Sequence, residues 1–491
     1  MKGELRKPAS VNAILLIGIF TFVFLGAEYL FVNMISLSVT EGRTVIAQNY
    51  ALGASAVGFF LYPAMERWGG RRYKSALTFI LALGAIICTF IVQQHISYAA
   101  TMTAGMVLFL LLGVFGSAVH YLAAVTIDGD NALARLAGIA YALGILLQYA
   151  NNNLVNLEVA EAAFLSVFLA ALSLLVIRTR QAAQSRIEMT ETAGASSEPA
   201  EDISLTRKKR TAGVMLALLV VLMACVFSTL DNAVTLRHAS GTDIGQWPRL
   251  LLAFSGLAAG FVFDIRKRKY MGLVMYCVMM LSVMSIVVLN LGGPFLIGLV
   301  VFYLSSGFFV VFFTASFMEL SRHMRLPSLW AGMGRAMNNV SAALITNGSV
   351  ALLATGNSLA AIVIALVLFV AVSVAMAVYT ARMNAVMEPK EPPASQKSDE
   401  ERREAFIAKY GLTEREWDVF SQMISRTAAP RRSPTACSCP SGRWNGISPP
   451  CTKRRAQNPA SLCTCFTVTI NIQDKRTPCF LSGEAGCFCV R

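Results

Sequence analysis

The chain has 491 residues, of which 55% are hydrophobic and only 14% are charged, and its mean hydropathy is +0.58. Soluble domains carry about 25% charged residues, so the composition excludes an ordinary soluble protein. The net charge of +14 does not by itself indicate nucleic-acid binding, because the basic residues are concentrated in short loops and in the last 66 residues.

Apolar residues occur in blocks of about 20, the length at which an α-helix crosses a hydrocarbon core of roughly 30 Å. Backbone amides within lipid must be satisfied inside the segment, so each block is predicted to be a helix. The predicted fold class is therefore an all-α polytopic membrane protein with about twelve spans. These spans are 11–38, 45–65, 74–94, 98–122, 133–153, 160–178, 213–236, 247–265, 270–290, 295–320, 329–353 and 358–380.

Lysine and arginine residues mark alternate loops and so predict the orientation of the spans. One side carries most of them, at positions 2–7, 67–74, 135, 178–180, 207–210, 266–269 and 322–325. The other side has little beyond Arg43 and Arg237. The first side is therefore predicted to be the cytoplasm of a bacterial inner membrane, with both termini there. The first span is predicted not to be a cleaved signal peptide, because Glu28 and Asn33 stand where small residues are needed.

A polar stretch, 181–210, separates two sets of six spans and is typical of a flexible connector. The loops after spans 2 and 8, at 63–74 and 260–272, each place an acidic residue just before a basic cluster. The acidic residue is Glu66 in the first loop and Asp264 in the second. The two loops therefore indicate that the halves repeat one pattern.

This arrangement resembles the major facilitator superfamily, whose signature loop reads Gly-x-Leu-x-Asp-Arg-x-Gly-Arg-Arg. The second copy matches at Gly260 and Asp264, whereas the first has Glu66 in place of Asp and lacks the opening Gly. The resemblance implies two six-helix halves around a central cavity lined by spans 1, 4, 7 and 10, with spans 5 and 11 nearby. The alternative is that both loops only follow the positive-inside rule. The signature-loop residues are Glu66, Arg67, Arg71, Arg72, Gly260, Asp264 and Arg266.

Polar side chains inside the spans are the candidates for a ligand site, because a charge at membrane depth costs about 2.5–3.5 kcal/mol on insertion scales. Glu28 and Asp231 stand at matched depths in spans 1 and 7, which predicts that they face a shared polar cavity. Alternatively they are structural, either hydrated near the outer interface or paired with Arg237. Arg335 could extend to the interface instead. The cavity candidates are Glu28, His120, Gln148, Asp231, Arg335 and Asn338.

Enzymatic chemistry has no support in the sequence, and no catalytic residue or cofactor is predicted. No phosphate-binding loop, His-Glu-x-x-His motif or nucleophile elbow is present. His120 alone is more often a hydrogen-bonded helix residue than a proton relay. The cysteine pairs of the tail lack the usual two-residue gap and have no histidine near them, so no metal site is predicted.

The C-terminal region begins with a segment that resembles the first helix of LuxR-type helix-turn-helix domains. Thr413 is a suitable N-cap, and Glu416 three residues later completes a capping box. The residues that carry the resemblance are Leu412, Thr413, Glu414, Arg415, Glu416 and Val419.

The following residues do not continue that domain. They are rich in Pro, Arg and Ser and contain eight of the eleven cysteines. Reading the gene from the third base of each codon over 431–448 is compatible with Glu-Ile-Ala-Asp-Arg-Leu-Phe-Val-Ser-Glu-Arg-Thr-Val-Glu-Trp-His-Ile, which resembles the second and recognition helices. The tail is therefore interpreted as a frameshifted domain and is predicted to be disordered.

These observations predict a membrane-embedded transcriptional regulator with a truncated DNA-binding domain. The alternatives are a secondary active transporter of a small molecule and a scaffolding membrane protein. The expected partners are the bilayer and a small-molecule ligand, with DNA only if the C-terminal domain is restored. The predicted domains are the half 1–180, the linker 181–212, the half 213–382, the linker 383–404, the truncated helix-turn-helix 405–426 and the tail 427–491.

Overall fold

The computed structural model describes residues 8–68, 70–127, 132–155, 157–193, 203–239, 245–387, 399–427, 480–481 and 487–488. The chain divides into two compact units, 1–393 and 394–491. The helices of the first unit are α1 Pro8–Ser36, α2 Glu41–Arg67, α3 Arg71–Gln94, α4 Tyr98–Thr126, α5 Leu133–Leu154, α6 Glu158–Ala193, α7 Ile203–Ala239, α8 Pro248–Phe263, α9 Met271–Asn290, α10 Phe295–Ser321, α11 Pro327–Trp330, α12 Met333–Thr355 and α13 Ser358–Met387.

Each of the twelve predicted spans falls on a helical segment of the first unit, and the predicted all-α membrane fold is confirmed. Ten of the described helices are long and apolar enough to cross a membrane. The remaining two spans are the 16-residue α8, which is apolar but short, and the more polar α12. The predicted span over 329–353 begins four residues later in the structure, because the chain forms the separate turn α11 at Pro327 and α12 begins at Met333.

The predicted connector between the halves is partly helical. Helix α6 continues to Ala193, and α7 begins at Ile203. Residues 181–193 are rich in Ala, Gln and Glu, which favour helix once a preceding span has nucleated it. Residues 194–202 lie outside the described part of the chain.

The buried side chains form two main hydrophobic clusters. The first is built mostly from α1–α6 and the second mostly from α7–α13. Helices α3, α9 and α13 keep much of their apolar surface outside these clusters, as Ile80 and Val367 show with exposed fractions of 62% and 63%. Such outward apolar faces are expected where helices contact lipid rather than water.

The two halves meet where α5 packs on α8 and where α2 packs on α12. Glycine allows the first of these contacts: a Cβ atom on Gly138 would lie 2.6 Å from the carbonyl oxygen of Gly256. A Cβ atom on Gly260 would likewise lie 2.8 Å from the carbonyl oxygen of Ala134. We call the end of the bundle that carries the loops after α2, α4, α8 and α10 the basic end, and the other the opposite end.

The second unit contains α14 Asp399–Tyr410, α15 Glu414–Thr427 and a two-stranded antiparallel pair, β1 Phe480–Leu481 with β2 Cys487–Phe488. The four strand residues differ from the predicted wholly disordered tail, whereas 428–479, 482–486 and 489–491 lie outside the described residues. The helical segment also starts earlier than the predicted 405. Gly411, at φ +64°, separates the two helices in a conformation that suits glycine.

Helix α15 begins with one of the two hydrogen bonds of the predicted capping box, the one that Glu416 accepts. The Thr413 backbone N–H donates to Glu416 Oε2 over 2.8 Å, and the Thr413 hydroxyl contacts the same oxygen at 2.8 Å. These hydrogen bonds to the charged form lower the pKa of the Glu416 carboxyl. Phe406 of α14 contacts Trp417 and Phe420 of α15, with ring centroids 5.3 and 5.4 Å apart.

Candidate functional site

A cavity of about 290 Å³ lies between the halves and is lined by α1, α2, α5, α7, α8, α10 and α12. It takes its lining from the C-terminal parts of α1 and α7 and from the N-terminal part of α10, which places it toward the opposite end of the bundle. Five of the six sequence-predicted cavity candidates line it, and these are Glu28, Gln148, Asp231, Arg335 and Asn338.

Two carboxylates from different halves face this cavity. Gln48 Nε2 of α2 donates to Glu28 Oε1 over 2.7 Å, and Glu28 is within electrostatic reach of Arg335 and Arg249. Asp231 is within electrostatic reach of Glu28. Neither carboxylate has a salt-bridge partner within 4 Å among the described residues, so the proposed structural pairing with Arg237 does not occur.

Two arginines also line the cavity. Arg335 of α12 is only 8% exposed, and its guanidinium carbon lies 5.4 Å from the Phe24 ring centroid and 5.7 Å from that of Phe313. The residue therefore stays between aromatic rings inside the bundle rather than extending to the interface. Arg249 lies over Tyr29 at 5.2 Å, and its Nε donates to Gln246 Oε1 over 2.8 Å.

The remaining amides of the cavity wall make mostly structural contacts. Gln148 Nε2 donates to the backbone carbonyl of Leu25 over 2.9 Å, which joins α5 to α1. Asn338 Nδ2 donates to Asn339 Oδ1 over 3.1 Å, and Asn339 donates in turn to the Ser55 hydroxyl over 2.7 Å. Asn338 thereby belongs to a chain of hydrogen bonds that links α12 to α2.

The basic end is closed by contacts between the halves that centre on Asp264, at the C-terminus of α8. Its carboxylate accepts hydrogen bonds from the backbone N–H groups of Ala134 and Arg135 at 3.3 and 2.9 Å, and from Arg135 Nε at 3.0 Å. A carboxylate at the N-terminus of α5 is favoured by the helix dipole as well as by these donors. Arg268 lies 3.5 Å from Asp264 and 2.6 Å from Glu319, so the network extends to α10.

A second contact closes the same end. Arg322, at the end of α10, donates from Nη2 to the carbonyl oxygen of Ile127 over 2.9 Å and from Nε to that of Ala124 over 3.3 Å. These carbonyls lie at the C-terminus of α4, where backbone acceptors are unpaired within the helix. The closed basic end therefore depends on the helix termini of both halves.

No protein-family model matches the chain, and no curated protein matches it in sequence. Solved structures do match. The human organic anion transporter MFSD10 (TETRAN) is 14% identical and covers 77% of this chain and 100% of its own, with a TM-score of 0.50. A bacterial homologue of the iron transporter ferroportin in the outward-facing state is 14% identical and covers 76% of this chain and 100% of its own, with a TM-score of 0.53.

The chain shares the fold of these two solved transporters. At these identities the likeness shows the fold alone and says nothing of what the chain does. The predicted polytopic all-α membrane architecture is thus confirmed. The LuxR-type part of the predicted architecture has no counterpart in these comparisons.

The two loops that the sequence predicts as signature loops differ in what they contact. Asp264 of the second copy crosses to the other half, and Gly260 leaves room for the α5 backbone. Glu66 of the first copy stays within its own half, where it meets Lys74 at 3.1 Å, Arg180 at 3.3 Å and the Tyr62 hydroxyl at 2.9 Å. Glu66 of the first loop therefore joins α2 to α3 and α6.

The other signature arginines are not part of these closures. Arg67, Arg72 and Arg266 are exposed, and Arg266 lies over the Tyr270 ring at 5.9 Å. The side chain of Arg71 lies outside the described residues. Exposed arginines on one face of a membrane bundle suit anionic headgroups rather than a buried site.

His120 is the one cavity candidate that does not line the cavity. It is buried between Phe20 and Phe59, and its Nδ1 lies 2.6 Å from the carbonyl oxygen of Gly116, so that nitrogen carries the proton. This is the bonding of a structural helix histidine. The sequence could not show this, because the aromatic neighbours come from α1 and α2.

Sequence reasoning missed several residues of the site. Arg249 reads as an ordinary interface charge at the start of α8, yet it lines the cavity beside Tyr29. A hydrogen-bond network nearer the opposite end was also missed, in which Asn49 donates to Asn232 at 2.8 Å and to Thr346 at 3.0 Å. The sequence feature that could have predicted this network is the presence of a polar residue at a matching depth in each of α2, α7 and α12, namely Asn49, Asn232 and Thr346.

Proposed function

We propose that the chain is a secondary active transporter that moves a small molecule across the membrane by alternating access. The observation that carries this proposal is a cavity lined by both six-helix halves and closed from the basic end by the contacts of Asp264 and Arg322. Transporters of this architecture place the substrate near the bilayer midplane, between repeats that rock against each other. A transcriptional regulator does not require a cavity between two halves that is closed at one end by contacts between them.

Rocking of the halves would exchange one set of contacts for another. The Asp264 and Arg322 contacts hold the basic end together, and the Asn49 network ties α2 to α7 and α12 nearer the opposite end. Opening the basic end requires the first set to break. In the proposed cycle, the relative free energies of the two conformations therefore depend on these polar contacts between the halves.

Accessibility of the cavity tests the proposal. Asn338→Cys, in a background whose other cysteines are replaced by serine, should react with membrane-impermeant thiol reagents from the opposite end. The reaction from the basic end should be slow in the parent and faster in Asp264→Asn, because that variant weakens the closure. Reaction from neither side in either variant, or no change on Asp264→Asn, would contradict alternating access.

We further propose that the basic end faces the cytoplasm of a bacterial inner membrane, as the lysine and arginine distribution predicts. Ala195→Cys, introduced into the same cysteine-free background, should be labelled by impermeant reagents in inverted vesicles and protected in intact cells. Labelling in intact cells would reverse the orientation.

The cavity carboxylates are the proposed site of a coupling proton or cation. Asp231→Asn should change transport, and its pH dependence, more than Glu66→Gln does, because Asp231 faces the cavity while Glu66 is held by Lys74 and Arg180. Uptake into proteoliposomes at several pH values is the measurement. Equal effects of the two substitutions would refute a coupling role for Asp231.

A second candidate function is the membrane-bound transcriptional regulator, with the helical segment as part of a LuxR-type domain. It is favoured by the Thr413–Glu416 cap and by the contact of Phe406 with Trp417 and Phe420. In the parent form the recognition helix would bind the major groove. In the present reading frame, the sequence resembles the first helix of that domain, and the residues that follow do not resemble its recognition helix.

This candidate is tested by correcting the reading frame. Sequencing the gene across the codons for 420–432 should reveal the shift, and the corrected full-length chain should bind duplex DNA with an affinity that falls steeply as salt rises. The chain as written should not bind. Specific DNA binding by the uncorrected chain would show that the frameshift interpretation is wrong.

A further inference from the structure

We infer that the cavity binds a small organic anion, a carboxylate or sulfonate on an apolar and preferably aromatic body, through the guanidinium of Arg335. This inference rests on the proposed function, because it names the substrate class of the same cavity. It is carried by the state of Arg335 in the structure.

Arg335 is a buried cation that lacks an anionic partner. It forms no hydrogen bond or ion pair with the described residues, and its Nε is buried without a hydrogen-bond partner. Arginine does not lose its proton in proteins, so burial cannot be relieved by neutralisation. An uncompensated buried charge costs several kcal/mol, which a bound anion would offset.

The rings around Arg335 orient it toward the cavity without satisfying its hydrogen-bond donors. Phe24 and Phe313 contact its guanidinium and contribute a cation–π attraction. One ring comes from each half of the bundle, Phe24 from α1 and Phe313 from α10. Aromatic rings attract the cation but accept no conventional hydrogen bond from its N–H groups, and no hydrogen bond to Arg335 forms among the described residues. These N–H groups match a carboxylate or sulfonate in a two-point contact.

Glu28 does not fill this role. Its carboxylate is within electrostatic reach of Arg335 but not within 4 Å of it, and its hydrogen bond is to Gln48 instead. Neither carboxylate of the cavity, Glu28 or Asp231, therefore lies within 4 Å of a nitrogen of Arg335. A multiply charged anion would meet their repulsion, so a monoanion fits best.

Aromatic and apolar side chains form the rest of the wall. Four of the lining residues are aromatic side chains of α7 and α10, namely Phe227, Phe302, Tyr303 and Phe309. Burial of apolar ligand surface against them favours binding. The volume of about 290 Å³ accommodates a molecule with a single aromatic ring.

Binding of matched aromatic probes to the full chain in lipid nanodiscs tests the inference. Benzoate and benzenesulfonate should bind and raise the melting temperature, whereas benzyl alcohol and benzylamine, at the same concentration, should not. Arg335→Gln should weaken benzoate binding by about tenfold or more, since a hydrogen bond to a charged group contributes about 1.5–3 kcal/mol. Arg335→Lys should retain part of the binding, and Arg382→Gln, an exposed arginine outside the cavity, should retain all of it.

The outcomes separate this inference from the proposed function. Anion binding that needs Arg335, with no change in access at Asn338→Cys, would support the ligand class and refute transport. Alternating access with a preference for benzylamine or benzyl alcohol would overturn the ligand class and keep transport. If Arg335→Gln does not fold, the comparison of Arg335→Lys with Arg382→Gln decides, and equal benzoate affinity in those two and the parent contradicts the inference.

Discussion

Replacing Asp264 with Ala should destabilise the membrane unit by about 3 kcal/mol and open the basic end of the bundle. The Asp264 side chain is 3% exposed, and it compensates both Arg135 and Arg268. Its removal takes away the acceptor that Asp264 supplies to Arg135 and to the N-terminus of α5, while Arg268 keeps Glu319. Loss of one partner from a buried network costs more than the pair contributes, because the remaining charge stays desolvated.

Thermal unfolding in nanodiscs, together with thiol labelling of Asn338→Cys from the basic end, measures both effects. Glu66→Ala is the matched control, because Glu66 also pairs with two basic residues but stays within one half. It should lower stability without changing access. A variant Asp264→Ala that unfolds like the parent and shows unchanged labelling would mean that this closure is not a determinant of conformation.

Gly138→Val should separate α5 from α8 and also favour opening of the basic end. A Cβ atom at this position would lie 2.6 Å from the Gly256 carbonyl oxygen and 2.9 Å from the Gly260 Cα. Both obstacles are backbone atoms, which cannot rotate away as a side chain can. Overpacking of this kind costs about 1–3 kcal/mol, and the separation of the helices relieves it.

The control for Gly138→Val is Gly348→Ala in α12, where an added Cβ meets no atom within 4 Å. That substitution should leave access unchanged and raise helix stability by about 0.8–1 kcal/mol, the propensity difference between the residues. The variants are compared by the same unfolding and labelling measurements. Equal behaviour of Gly138→Val and the parent would contradict the close α5–α8 packing.

The spans were predictable because hydropathy and length act locally along the chain. The prediction was less accurate where the hydropathy of the segment is lower, as in α12, which contains several polar residues. The start of α12 also lies later than predicted, because the chain first forms the short helix α11 at Pro327. The polar connector and the matched loops at 63–74 and 260–272 likewise predicted the two halves. The position of the connector was clear, but its helical ends at 181–193 were not.

The site was predictable only in part, because its contacts join residues distant in sequence. Charges inside spans pointed to Glu28, Asp231 and Arg335, since burial of charge demands a reason. The partners of Asp264 could not be read from the sequence, as Arg135 is 129 residues away. The aromatic cage around Arg335 comes from α1 and α10, and only the fold brings those rings together.

The distance between the halves at each end is the most direct test of alternating access. Spin labels at Trp68 and Lys269 report on the basic end, and labels at Leu37 and Leu291 report on the opposite end; all four residues are exposed. Alternating access predicts two populations, in which one distance lengthens as the other shortens, and Asp264→Asn should shift the balance toward an open basic end. A single unchanged distance at both ends, in the parent and in Asp264→Asn, would contradict it.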